Sequence, residues 1–96
     1  MAEINFNNEN NYKNGIIKLR HVKLNYNNSN LNWLYVSKYL KLPESVISDY
    51  TDYVFWPYIC KYQILSEDFI REFKDKVDWE FICKYQNLSE DFIAEF

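Results

Sequence analysis

Glycine and proline are nearly missing from this 96-residue chain: Gly15 is the sole glycine, and the prolines are Pro43 and Pro57. So few breakers argue against an all-β fold with many tight turns, and they leave no glycine-rich loop to cradle a phosphate. Cys60, Cys83 and the lone His21 fall short of a zinc set, so no metal or cofactor is expected. No apolar run approaches the roughly 18 residues of a membrane helix. The N-terminal M-A-E-I-N-F-N-N lacks the basic start and apolar stretch of a secretory signal. The expected setting is therefore cytoplasmic, away from membranes. Aromatic residues, by contrast, are abundant at 20 %, nine of them tyrosines. Large rings bury much area each, which helps so short a chain to form a core.

The three tryptophans, Trp33, Trp56 and Trp79, are evenly spaced by 23 residues. Trp56 opens W-P-Y-I-C-K-Y-Q-I-L-S-E-D-F-I-R-E-F and Trp79 opens W-E-F-I-C-K-Y-Q-N-L-S-E-D-F-I-A-E-F. An eroded copy, W-L-Y-V-S-K-Y-L-K-L-P-E-S-V-I-S-D-Y, starts at Trp33. A fixed short period is the mark of stacked repeats. Within the unit, Asp78 is placed to cap a helix from Trp79, with Trp79, Ile82, Cys83 and Gln86 at helical spacing. Ser89 then starts a second helix, with Glu90 and Asp91 in the first turn where the helix dipole favours negative charge. Leu88 and Ile93 have the spacing of a hydrophobic staple, and Leu65 to Ile70 repeats the arrangement. The linker K-D-K-V-D at 74–78 turns Val77 inward. The predicted fold is mostly α, with three 23-residue helical hairpins over 32–96, divided as 33–55, 56–78 and 79–96.

Residues 1–31 stand apart as an Asn-rich basic segment. From Gly15 to Tyr26 the chain alternates apolar and basic residues, flanked by K-N-G and N-Y-N-N-S-N turn signals. This predicts a short β-hairpin-like element pairing with Ile4–Phe6, with a helix over the same residues as the alternative.

Charge divides the chain similarly. Residues 1–42 carry six Lys/Arg against Glu3 and Glu9, a balance of +4; residues 43–96 carry twelve Asp/Glu against five Lys/Arg, a balance of −7. The basic residues Lys13, Lys18, Arg20 and Lys23, interleaved with Tyr12, His21 and Tyr26, suit nucleic-acid phosphates and bases. The acidic repeats would repel a phosphate backbone but could imitate one toward a basic groove on a partner protein. Glu67, Asp68, Glu90, Asp91 and Asp75 are the candidate carboxylates for that contact. The first four are explained as helix-start charges better than as acid–base pairs, so no enzyme is expected.

Tyr35, Tyr58 and Phe81 form one aromatic ladder, and Tyr39, Tyr62 and Tyr85 another. One belongs in the core; the other, with Tyr62 and Tyr85, is a candidate contact surface. Cys60 and Cys83 occupy the place held by Ser37 in the first unit, which reads as a small packing position. Stacked helices sit about 8–10 Å apart, beyond the roughly 7 Å reach of a disulfide. Two buried, reduced thiols are expected, in keeping with an intracellular compartment. The unit ending at Phe96 carries no polar cap. That favours a folded-back last helix or an apolar face for a partner or a second copy.

The units at Trp56 and Trp79 resemble a repeat family of giant DNA viruses and phages of low-GC bacteria, with the pattern D-W-x-x-I-x-x-Y-Q-x-L-S-E-x-F-I-x-x-F-x-D-K-V. Asp78, Trp79, Ile82, Tyr85, Gln86, Leu88, Ser89, Glu90, Phe92, Ile93 and Phe96 meet it. So do Trp56, Ile59, Tyr62, Gln63, Leu65, Ser66, Glu67, Phe69, Ile70, Phe73, Asp75, Lys76 and Val77. The resemblance covers about 40 residues strongly and implies origin more than activity. By analogy of size, charge and such an origin, it suggests an anti-CRISPR-like inhibitor of a host protein or ribonucleoprotein complex. Self-association through the C-terminal end and direct nucleic-acid binding are the alternatives.

Overall fold

The computed structural model describes residues 4–24 and 31–96, which form eight short helices and no strand. Two lie in the N-terminal segment, α1 (Glu9–Lys13) and α2 (Leu19–Leu24). The remaining six are three successive pairs: α3 (Trp33–Tyr39) with α4 (Glu44–Asp49), α5 (Trp56–Tyr62) with α6 (Glu67–Glu72), and α7 (Trp79–Tyr85) with α8 (Glu90–Glu95). The first helices of the pairs pack in sequence, α3 on α5 and α5 on α7, while α1 packs on α3. The result is a rod of 55 × 23 × 16 Å.

None of these helices exceeds seven residues. Isolated helices shorter than about 12 residues are marginal in water, so caps and stacking hold them. Ser66 and Ser89 act as N-caps, their hydroxyls accepting the N–H of Phe69 and Phe92, and Asp78 caps α7 by accepting from Phe81. Pro57 sits in the first turn of α5, where no N–H is missed. Pro43 sits one place earlier, as the N-cap of α4.

Each tryptophan joins the two helices of its own unit. Trp56 packs on Phe69 and Phe73, Trp79 on Phe92 and Phe96, and Trp33 on Tyr50 and Tyr53. The indole N–H of Trp56 and of Trp79 also reaches back to the carbonyl five residues earlier, on Thr51 and Lys74. Val36, Ile59 and Ile82, three residues after each tryptophan, are fully buried and form the continuous spine of the stack. Val77 is buried, as its place in the linker predicts.

The expected N-terminal hairpin is replaced by α1 and α2. Asn8 caps α1 by accepting from the Asn10 N–H, and Gly15, at φ 80°, ends it in the left-handed region. His21 Nδ1 accepts the Lys18 N–H at the entry to α2. Ile17 and Val22 are fully buried. In a strand these two would face opposite sides; the helical turn sends both to the one core available. Tyr12 fixes the segment to the repeats: its hydroxyl donates to the Phe6 carbonyl and accepts from the Asn32 N–H. The N-Y-N-N-S-N signal and Tyr26 lie outside the described residues.

Candidate functional site

The surfaces that matter are set by how one unit meets the next. Between the first and second units, the buried Gln63 side chain makes three hydrogen bonds to backbone. Its amide donates to the carbonyls of Ser37 (2.9 Å) and Leu40 (2.7 Å), and its carbonyl accepts from the Leu42 N–H (3.0 Å). Between the second and third units Gln86 does the same, to Cys60, Gln63 and Leu65. Each glutamine thus satisfies carbonyls at the end of the preceding helix, groups that would otherwise be orphaned.

Two further contacts recur at both junctions. The Ser37 hydroxyl accepts the Phe55 N–H, and the Cys60 sulfur accepts the Asp78 N–H. The Glu44 carboxylate accepts the N–H and hydroxyl of Ser66 (2.6 and 3.0 Å); that of Glu67 accepts those of Ser89 (2.6 and 2.9 Å). The Ser89 N–H is the chief reason the Glu67 carboxyl is held below its ordinary range. Charge-assisted bonds of this kind are short and strong. Glu67, a predicted partner-binding carboxylate, therefore also joins two repeats.

The junctions explain the eroded first unit. It keeps the residues that reach forward, Ser37 and Glu44, and carries Leu40 and Pro43 where later units have the backward-reaching Gln and Ser. What lies behind it is α1 and Tyr12, which offer no such partners.

The second tyrosine ladder is the exposed one. Tyr62 and Tyr85 stand 40 % and 48 % exposed, while Tyr39 is half-buried against Glu9, whose carboxylate accepts its hydroxyl. Lysines run between the rings: Lys38 lies over Tyr39 and Tyr62, and Lys61 over Tyr62 and Tyr85. Cations over aromatic faces are attractive and keep the rings oriented. Beside Tyr62, Ile64 is 95 % exposed, an unusual place for so large an apolar side chain. The other ladder, Tyr35, Tyr58 and Phe81, is partly buried.

The remaining predicted carboxylates Asp68, Asp75, Glu90 and Asp91 are exposed. Asp68 pairs with Arg71, which also bridges to Glu95 of the next unit. The tyrosines thus have lysine neighbours, and the engaged carboxylates have serine or arginine ones. Among the described residues no hydrogen bond, ion pair or ring contact joins these carboxylates to Tyr62 or Tyr85. Lys13, Lys18, Arg20 and Lys23 are all exposed, on or beside α1 and α2.

Cys60 is buried, and burial pushes its thiol up to about 11. Cys83 is exposed, which corrects the expectation of two buried thiols. The reason is positional: the third unit lies against Cys60, whose sulfur accepts the Asp78 N–H, and among the described residues no unit lies against Cys83. In the sequence Gln86 falls in a helical stripe with Trp79, Ile82 and Cys83. The signal that marks the glutamines was present, since Gln and Ser occur together in the second and third units and disappear together from the first.

Among the described residues no three His, Cys, Asp or Glu side chains are placed to hold a metal ion. No helix there is long and apolar enough to cross a membrane. Compared with protein-family models, curated proteins and solved structures, the chain matches none.

Proposed function

We propose that this chain is a non-enzymatic protein-binding module that acts stoichiometrically on a basic-surfaced protein partner. The observation that carries the reading is the pair of exposed tyrosines in the second and third repeats, Tyr62 and Tyr85, with Ile64 95 % exposed beside the first of them. Tyrosine supplies contact area at low entropic cost and is enriched where interfaces are strongest. The exposed Asp68, Asp75, Glu90 and Asp91 add the negative field that steers a basic partner toward the repeats. In its specific form the proposal is inhibition of a host nucleic-acid-handling complex, in the manner of an anti-CRISPR protein. The acidic repeat half and the resemblance to viral and phage repeats support it.

The test is capture from host-cell lysate, with and without nuclease, using wild type, Tyr62→Ala/Tyr85→Ala and Asp68→Lys/Asp91→Lys. Glu67 is left intact because it joins two repeats. A nuclease-resistant nucleic-acid enzyme, lost with either double variant, supports the reading. Capture unchanged in both variants would sink it. A partner released by nuclease would instead place the function at the exposed Lys13, Lys18, Arg20 and Lys23.

A further inference from the structure

The end of the stack at α7 and α8 carries the same chemistry as the two internal junctions, without a unit on it. Ile70 is fully buried under the third unit, whereas its equivalent Ile93 is 60 % exposed. Cys60 is buried and Cys83 exposed. Trp79, Cys83, Leu88, Phe92, Ile93 and Phe96 line an open cavity of about 630 Å³ at this end. The Leu88 N–H, equivalent to those of Leu42 and Leu65 that glutamine accepts, has no acceptor among the described residues. Glu90 stands exposed where Glu44 and Glu67 each hold a serine.

We infer that this face docks a further helical hairpin of the same repeat class. Both internal junctions specify that occupant. The residue before its tryptophan donates an N–H to the Cys83 sulfur. A glutamine seven residues after the tryptophan donates to the Cys83 and Gln86 carbonyls and accepts from the Leu88 N–H. A serine three residues further on gives its N–H and hydroxyl to Glu90. An apolar side chain or a metal would leave these polar groups unanswered.

A second copy of this chain does not meet the specification. Head to tail, its first unit would bring Leu40 in place of the glutamine. It would also bring Pro43, which has no N–H, in place of the serine. That end is moreover covered by α1 and the buried Tyr12. Tail to tail, two such faces present carbonyls and carboxylates to one another with no glutamine side chain to bridge them, since Gln86 is already engaged with the second unit. The first unit has lost the residues that reach backward, while the third keeps Cys83 and Glu90, which reach forward. The asymmetry fits a face that is used.

The probe is a synthetic hairpin with the sequence of residues 74–96, its cysteine replaced by serine, as Ser37 stands in the first unit. Added to the full chain, it should protect Cys83 from a thiol reagent in a saturable way. Gln→Ala in the peptide, or Glu90→Ala in the protein, should weaken protection at least about tenfold, as loss of a site's hydrogen-bonding partner does. Ile93→Asp should abolish it while the circular dichroism of the protein stays unchanged. Protection indifferent to the glutamine would overturn the inference. So would a dimer of the chain alone with Cys83 already protected. Because the free peptide must order on binding, the same 23 residues are also appended after Phe96. If Cys83 stays reactive there, the face does not fit this hairpin and the inference fails. Protection in the appended form, lost when the appended glutamine is changed to alanine, supports the inference even if the free peptide does not bind.

Discussion

Glu67 and Ser89 are 22 residues apart, yet the carboxylate of the first accepts both the N–H (2.6 Å) and the hydroxyl (2.9 Å) of the second. The serine hydroxyl in turn caps its own helix by accepting the Phe92 N–H. A residue that looks like a helix-start charge is therefore one end of a brace between units. The same brace, from Glu44 to Ser66, stands one repeat earlier.

This brace should make stability sensitive to acid. The Glu67 carboxyl is lowered from 4.5 in the folded chain, chiefly by the Ser89 N–H. Its contribution is therefore fully present above the unfolded value and is lost as pH falls through the lowered folded value. Glu67→Gln should be less stable than wild type at pH 7, and the difference should shrink as the pH drops below about 4.5. Thermal melts of both proteins from pH 7 to pH 3 check this, and parallel curves would refute the assignment.

Gln63→Ala should be among the most damaging single changes in the molecule. It leaves two carbonyls and the Leu42 N–H without partners at a buried site, a cost on the order of 3 kcal/mol. Gln86→Ala removes the same three bonds where the site is only partly buried, and should cost on the order of 1–2 kcal/mol. Urea denaturation of the two variants would show the order, and an equal or reversed ranking would contradict the junction described.

The two cysteines should react with a thiol reagent in sharply different ways. Cys83 is exposed and should react at once in the native protein. Cys60, buried with its thiol pushed up to about 11, should wait for unfolding. One fast equivalent at pH 8 and a second only in denaturant is the expected result. Two fast equivalents would mean that the third unit does not cover Cys60.

Tyr12→Phe should loosen the start of the stack. The substitution removes the partner of the Asn32 N–H and of the Phe6 carbonyl while keeping the ring against Tyr35. The expected loss is about 1–2 kcal/mol, read as a lower melting temperature. Hydrogen exchange should report it first at Asn32, before the spine at Ile59 and Ile82.

The 23-residue period, the paired helices and their caps are written locally, in side chains that act on backbone within one turn. The caps made by the Asp78 and Ser89 side chains and the ring contacts of Trp79 reach no more than 17 residues along the chain, so their pattern is visible in sequence. The N-terminal segment was not legible in the same way. Its Gly15, asparagines and alternating residues suit a hairpin turn as well as helix ends. Only the shared burial of Ile17 and Val22 against the repeats selects α1 and α2. The candidate contact surface was half legible: the Tyr39, Tyr62 and Tyr85 ladder appears in the period, but not the lysines between its rings.

Sequence alone thus determined which residues recur, where the helices begin and which side chains are equivalent between units, because those features rest on contacts between near neighbours. The tertiary structure decided what equivalent residues do. Cys60 and Cys83 have the same place in the unit, as do Ile70 and Ile93, yet one of each pair is buried and the other exposed. The difference comes from stacking, which buries a face only where another unit lies against it. Burial at a given place in the repeat is therefore set by its neighbour across the junction.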